Sequence, residues 1–202
     1  MKTRVQMALV GLLALVSTTS LAKSVFWIGG HGGNWSETGN WEGGVPASGD
    51  RLYITNVTAG VTLALTNDIS GLALSAVEFG EGGPVELRGE RIELNNYTPW
   101  NSYCVVDCYV PMVMKSQTGQ WGLTVTATER YNQYGDVELR NVTKNTIAGK
   151  GGPNYSEGQP INFYGTVTCT NTVLAVGAQT YSCTFNGPVV ATDLQGSNSG
   201  DG

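Results

Sequence analysis

The chain has 202 residues, a formal net charge of −5 and only 13% charged residues, while glycine occupies 28 positions. A negative net charge excludes a dedicated nucleic-acid-binding protein, because phosphates require a basic surface. The apolar content is too high for a disordered chain, and the abundance of glycine argues against a mainly helical one. The composition therefore indicates an all-β protein about the length of one domain.

Residues 1–22 have the features of a cleavable secretory signal. Lys2 and Arg4 form a basic start, residues 7–16 form a short apolar core, and Ala22 ends a run of small residues before the cleavage point. The apolar run is much shorter than the roughly 20 residues of a membrane span. We expect cleavage after Ala22, export through the general secretory route, a secreted or cell-surface location, and no transmembrane span in the mature chain.

Residues 23–50 are rich in tryptophan and glycine and include His31, the only histidine of the chain. His31 stands between two glycine pairs, in a segment too flexible to hold a catalytic base in place. The glycines match neither nucleotide-binding pattern, G-x-G-x-x-G or G-x-x-x-x-G-K-[ST]. We therefore expect an exposed loop histidine and no cofactor.

Residues 51–195 contain short β-rich segments separated by Gly, Asn, Asp or Pro, and no segment has helical periodicity. The predicted strands are 51–55, 61–65, 85–87, 91–94, 110–114, 122–126, 136–139, 161–164, 166–168, 171–176 and 181–185. Residues 196–202 form a Gly/Ser/Asn tail that we expect to be flexible.

A faint internal repeat favours a solenoid. Residues 71–76 lead to 85–88, and the similar residues 122–127 lead to 137–140, an offset of about 51. This offset equals roughly two coils of a three-sided β-solenoid, in which strands are short because the chain bends at each corner. We therefore predict a right-handed parallel β-solenoid, or β-helix, with residues 23–50 as its N-terminal cap. A β-sandwich is the alternative.

Four cysteines remain after cleavage, which is an even number in an oxidising compartment. Sequence proximity favours the disulfides Cys104–Cys108 and Cys169–Cys183, although three connectivities are possible. A zinc site is the weaker interpretation, because the spacings lack paired C-x₂-C motifs and His31 is distant. We predict no metal site.

The motif residues of the N-terminal segment resemble the entry segment of bacterial proteins with autotransporter-associated β-strand repeats. The matching residues are Trp27, Gly29, Gly30, Trp35, Ser36, Asn40, Trp41, Gly43, Gly44, Pro46, Gly49 and Asp50. The resemblance extends over residues 27–95 and fades beyond Tyr97. It implies a secreted or surface β-solenoid.

Acidic residues on the predicted strands are the candidate catalytic groups: Glu86, Glu93, Asp136 and Glu138, with Arg88, Arg91 and Arg140 nearby. Polysaccharide-degrading enzymes use such carboxylates. In Ile92-Glu93-Leu94, however, apolar residues alternate with the acid. This pattern directs the glutamate side chain outward, toward solvent. We therefore predict no catalytic residue.

Trp35 and Trp41 are the candidate binding residues, since exposed indoles can stack on sugars. Their position just before the first coil favours instead a buried role in the cap. The predicted function is a structural or adhesive module without catalysis, whose partner is an extracellular polysaccharide or a host or cell-surface glycan, and not nucleic acid. The alternatives are a polysaccharide-degrading β-helix enzyme and a carbohydrate-binding β-sandwich.

Overall fold

The computed structural model of the protein describes residues 22–95, 99–115, 124–127, 130–141, 146–149, 161–172 and 183–192. These ranges are almost entirely strand and turn, with one short 3-10 helix at Thr38–Asn40 and no α-helix. The strands are β1 Ser24–Trp27, β2 Gly32–Asn34, β3 Trp41–Glu42, β4 Arg51–Ile54, β5 Leu63–Asn67, β6 Leu72–Leu74, β7 Ala76–Phe79, β8 Val85–Gly89, β9 Ile92–Asn95, β10 Pro99–Ser102, β11 Val106–Cys108, β12 Met112–Lys115, β13 Thr124–Ala127, β14 Tyr131–Gln133, β15 Val137–Arg140, β16 Thr146–Gly149, β17 Ile161–Phe163, β18 Val167–Thr170, β19 Cys183–Phe185 and β20 Val189–Thr192.

The strands form three sheets that the chain visits in turn. Sheet A has the order β16-β13-β10-β7-β4-β1-β3, sheet B has β19-β17-β14-β11-β8-β5-β2, and sheet C has β20-β18-β15-β12-β9-β6. From β4 to β15, therefore, each strand pairs with the strand three positions later in the chain, so that the pattern extends from β4 to β18. We call each set of three successive strands in this part a round: β4–β6 is round 1, and β16–β18 is round 5.

Pairing is parallel throughout the described residues, except between β1 and β3. The prediction of an all-β protein with parallel sheets is thus confirmed. The alternative β-sandwich does not fit, because sandwich sheets are built from antiparallel strands.

Alternation along strands such as β9 separates the core from the surface. In β9, Ile92 and Leu94 are buried while Glu93 is partly exposed, as the sequence pattern predicts. Parallel register places like positions above one another, so that Ile92, Met112 and Val137 form one inner column of sheet C. The core is therefore a stack of apolar columns, each repeated from round to round.

The predicted 51-residue repeat does not correspond to two rounds. Val85 begins β8 in sheet B, whereas its counterpart Val137 begins β15 in sheet C. The two segments are seven strands apart, and two rounds are six. The residues that lie above Val85 are Val106 and then Tyr131, at offsets set by corners of unequal length.

Several predicted strands differ from the observed ones at corners. The segment 110–114 begins as a strand only at Met112, since Pro111 lacks the N–H that a strand would use in pairing. At the start of the segment 171–176, Asn171 adopts a left-handed φ of 47° and forms a corner. Residues 173–176, the signal at 1–21 and the tail at 196–202 lie outside the described residues.

The predicted cap segment 23–50 joins the same sheets as the rest of the chain. Its strands β1 and β2 pair in parallel with β4 and β5. β3 then turns back and pairs antiparallel with β1, with Trp27 opposite Trp41. In the described part of the chain, no helix has the length and apolar character needed to cross a membrane.

Candidate functional site

The structure places the candidate binding residues Trp35 and Trp41 inside the protein. They are 0% and 4% exposed, and Trp27 beside them is 1% exposed. We call these three residues the tryptophan cluster. Trp41 packs edge-on against Trp27 and Trp35, with ring centroids 5.1 and 5.8 Å apart, and its indole N–H donates to the Trp35 carbonyl at 2.9 Å. Buried rings in this arrangement offer no face to a sugar.

His31 is exposed, and its backbone carbonyl accepts a hydrogen bond from the Ala64 amide. Among the described residues, no group of three or more His, Cys, Asp or Glu side chains could hold a metal ion. The glycine-rich corner around His31 thus contributes a backbone hydrogen bond to β5.

The predicted disulfides have no support in the structure. Cys104, Cys108 and Cys169 are buried, and none of the three is assigned to a disulfide. The Cys108 thiol contacts the Val110 carbonyl at 3.9 Å, and burial raises its pKa to about 11. Cys169 lies on β18 in sheet C, whereas Cys183 lies on β19 in sheet B, with its side chain outside the described part. Proximity in sequence thus does not bring this second pair onto one sheet.

Three of the four candidate acids form ion pairs on the surface. Glu86 pairs with Arg88, Glu138 with Arg140, and Glu93 with Lys115 on the next strand at 2.7 Å. The hydrogen bond from Lys115 lowers the pKa of Glu93. A general acid in glycoside hydrolysis needs a raised pKa, so Glu93 is unsuited to that role.

A groove of about 430 Å³ lies on the outer side of sheet C. Arg91, Val113, Asp136, Glu138 and Thr168 contribute to its walls. Asp136 accepts a hydrogen bond from the Thr166 amide at 2.8 Å, and Glu138 is paired with Arg140. Both carboxylates therefore already have partners within the protein.

The most regular surface feature is a row of tyrosines at the corner between sheets B and C. Tyr109, Tyr134 and Tyr164 occupy the same corner in rounds 3, 4 and 5. Their rings stack with centroids 4.6 and 4.8 Å apart and planes inclined by 10° and 11°. The Arg88 guanidinium covers the first ring, 4.0 Å from the Tyr109 centroid. We call Tyr109, Tyr134 and Tyr164 the tyrosine ladder.

The backbone hydrogen bonds at the corners that carry the tyrosine ladder also repeat from round to round. The amides of Tyr134 and Gly135 both donate to the Cys108 carbonyl, and those of Tyr164 and Gly165 both donate to the Gln133 carbonyl. The corners approach so closely that a Cβ at Gly165 would lie 2.6 Å from the Gly135 carbonyl oxygen. Glycine after the tyrosine is what allows successive rings to meet at stacking distance.

A second row runs beside the tyrosine ladder on the outer side of sheet B. Asp107, Asn132 and Asn162 are register partners on β11, β14 and β17. The Asn132 amide donates to the Asp107 carboxylate at 2.7 Å, and the Asn162 amide donates to the Asn132 side-chain oxygen at 2.9 Å. We call these three residues the amide ladder. Polar side chains at the same register position thus form hydrogen bonds from each round to the next.

The two ladders influence each other electrostatically. Burial between its neighbours raises the pKa of Tyr134, and the nearby Asp107 carboxylate raises it further. The Tyr134 hydroxyl therefore remains protonated at neutral pH and is able to donate a hydrogen bond. Tyr134 and Tyr164 are 37% and 44% exposed.

The stacking geometry limits what the tyrosine ladder can bind. Both faces of Tyr134 are covered by neighbouring rings, and Arg88 covers one face of Tyr109. A sugar cannot stack on a covered face, so the ladder presents mainly ring edges and hydroxyls. Hydrogen bonding along the ladder is the chemistry this surface supports.

Neither ladder was predicted from the sequence. The available signal was the dipeptide Tyr-Gly at 134–135 and 164–165, each directly after a short strand. Tyr109 is followed by Val110 instead, and the tyrosines are 25 and 30 residues apart, so a search for a fixed period misses them.

Comparisons with known proteins identified no protein similar to this chain. No family model matches the chain, and neither a curated protein nor a solved structure was found to be similar to it. The resemblance of residues 27–95 to autotransporter-associated repeat proteins therefore stays an expectation from motifs.

Proposed function

We propose that the chain is an exported structural or adhesive module, built as a right-handed parallel β-solenoid and without catalytic activity. The observation that carries this proposal is the pair of ladders. Their rings and amides bond to one another between rounds, which is how a repeated fold stabilises its stack. The right-handed sense follows from the strong preference of parallel crossover connections.

The adhesive part of the proposal concerns the outer edge of the same ladders. The tyrosine hydroxyls form one line of hydrogen-bonding groups along the stack, and the partly exposed Asp107 and Asn162 of the amide ladder lie beside it, whereas Asn132 between them is only 5% exposed. A hydroxyl-rich polymer, such as an extracellular polysaccharide or a cell-surface glycan, matches such a line, and repeated weak contacts add up along an extended chain. We therefore expect longer oligosaccharides to bind more tightly than short ones of the same sugar.

The test is a glycan-array measurement on residues 23–202, with oligosaccharides of increasing length. The variant Tyr134→Ala with Tyr164→Ala removes two steps of the tyrosine ladder, and Tyr103→Ala is the control, because Tyr103 is 38% exposed but lies at another corner. We expect the ladder variant to lose binding and the control to keep it. Equal binding by both variants would contradict adhesion through the ladder.

A polysaccharide-degrading enzyme is the second candidate, because the groove on sheet C contains Asp136 and Glu138. A reducing-end assay on the same glycans tests it. We expect no new reducing ends. Their appearance, and their loss in the variants Asp136→Asn or Glu138→Gln, would replace the proposed function with an enzymatic one.

A further inference from the structure

Asp50 is a buried carboxylate that forms no ion pair within the described part of the chain. Its side chain is 0% exposed. Its two oxygens accept hydrogen bonds from the Lys23 backbone nitrogen at 3.0 Å and the Ala47 amide at 2.9 Å. A buried carboxylate is costly unless a positive charge compensates it. The backbone nitrogen of Lys23 is the group that can supply this charge.

Lys23 is the residue directly after the expected cleavage point, and Ala22 is exposed. We propose that cleavage after Ala22 creates an ammonium–carboxylate pair between the new N-terminus at Lys23 and Asp50, which locks the start of the fold. This inference rests on the proposed export. A signal peptidase would hydrolyse the Ala22–Lys23 bond with water. Ala22 would then carry the new carboxylate, and the amine of Lys23 would take up a proton at neutral pH.

The Lys23 side chain does not supply this charge to Asp50. Its ammonium group donates to the Gly43 carbonyl at 2.5 Å instead. Before cleavage, the Lys23 backbone nitrogen is a neutral amide, and the carboxylate has only neutral donors. After cleavage, the same nitrogen carries a full charge at the same place, and charge-assisted hydrogen bonds are about twice as strong as neutral ones.

The pair lies at a junction of the fold. The Asp50 carbonyl accepts hydrogen bonds from both the amide and the hydroxyl of Ser75, and the Lys23 carbonyl accepts one from the Arg51 amide. Lys23 leads directly into β1, which carries Trp27 of the tryptophan cluster. A stronger contact at Asp50 therefore holds β1 on sheet A, so that the cleaved chain is more stable than the uncleaved one.

Four proteins test the pair. They are residues 23–202 with a free N-terminus, the same chain extended by the native residues 20–22, and the Asp50→Asn form of each. The extension turns the Lys23 nitrogen back into an amide. In the two chains that keep Asp50, we expect the extension to lower the melting temperature by about 3 to 6 °C. This shift corresponds to the difference in strength between a charged and a neutral hydrogen bond. In the Asp50→Asn chains, we expect a change of less than about 1 °C.

An unchanged melting temperature in the extended Asp50 chain would overturn the proposal, and so would an equal drop in both backgrounds. If Asp50→Asn does not fold, the first comparison decides alone. Lys23→Ala on the free chain is the control, since it keeps the N-terminal ammonium, and we expect the extension to have its full effect in this variant. A loss of the effect would assign the charge to the side chain and overturn the pair.

N-terminal mass spectrometry of exported protein tests the processing step separately. A start at Lys23 supports the proposal, and any other start overturns it. None of these samples contains a glycan, so a failure of the adhesive function leaves their outcome unchanged.

Discussion

Aromatic side chains occur in two regions of the molecule with opposite placement. In the N-terminal region the tryptophan cluster points inward and is buried, with rings packed edge to face. In rounds 3 to 5 the tyrosine ladder points outward, with rings packed face to face. The first arrangement lies in the core beside the first strands of sheets A and B, and the second connects one round to the next. The same class of side chain therefore fills the core in one region and forms contacts between rounds on the surface in the other.

The largest expected effect is on the unfolding free energy, and it distinguishes a buried tryptophan from an exposed aromatic residue. Trp41→Ala removes a buried indole and should cost about 3 to 5 kcal/mol of unfolding free energy. Phe26→Ala is the control, since Phe26 is 40% exposed and stacks only on the outside against Tyr53. We expect the control to lose less than about 1 kcal/mol in urea denaturation. Equal losses would show that Trp41 is not a core residue.

The next largest effect on stability tests how closely successive corners of the tyrosine ladder approach one another. Gly165→Ala places a methyl group against the Gly135 carbonyl and should destabilise the protein by about 1 to 3 kcal/mol. Gly39→Ala is the matched control, because a Cβ there meets no atom within 4 Å. Thermal melts of both variants measure the difference. A Gly165→Ala protein as stable as the Gly39→Ala protein would contradict the close approach of the rounds.

A smaller effect is expected for the ion pair of Glu93 with Lys115. The pKa of Glu93 is lowered in the folded state, so the pair stabilises the protein at pH values above the ordinary glutamate pKa of about 4.3. This contribution is lost as the pH falls through the lowered folded value. Both side chains are partly exposed, so Glu93→Gln should cost less than about 1 kcal/mol at pH 7.

Urea titrations of Glu93→Gln at pH 7 and at pH 3 measure this loss. Glu81→Gln removes the same charge from an exposed turn and serves as the control. The destabilisation specific to Glu93→Gln should shrink toward acidic pH. A loss that grows as the pH falls would have the wrong sign for a lowered pKa.

The smallest expected effect concerns the cysteines. Because no disulfide is assigned to Cys104, Cys108 or Cys169, a reducing agent should leave the melting temperature unchanged. Burial and a raised pKa should also protect Cys108 from alkylation until the protein unfolds. Non-reducing peptide mapping provides the check. Recovery of a Cys104–Cys108 or Cys169–Cys183 peptide would restore the disulfides that the sequence suggests.

Local alternation was enough to predict much of the fold. The pattern Ile92-Glu93-Leu94 has period 2, which places the acid outside and the apolar residues inside, as observed. The register between rounds could not be predicted from the sequence, because the lengths of the corners vary from one round to the next. For that reason the matching segments 85–88 and 137–140 suggested a wrong alignment, although each is a strand.

The candidate site was less predictable than the fold. The tryptophans of residues 23–50 are conspicuous in sequence but lie in the core, whereas the tyrosine ladder depends on contacts between residues 25 and 30 positions apart. The candidate catalytic acids also resemble surface charges in sequence, and only the structure shows which base pairs with Glu93.

The most direct test of the stacked rounds is a double-mutant cycle on Tyr134 and Tyr164, with unfolding free energies measured for Tyr134→Ala, Tyr164→Ala and the double variant. Stacked rings 4.8 Å apart should give a coupling energy of about 0.5 to 1.5 kcal/mol. Tyr53 lies on β4 of sheet A, whereas Tyr164 lies at the corner between sheets B and C, so this pair should give no coupling. Coupling between Tyr134 and Tyr164 alone is the predicted result. Additive losses for these two residues would contradict the ladder and the stacking of rounds that it represents.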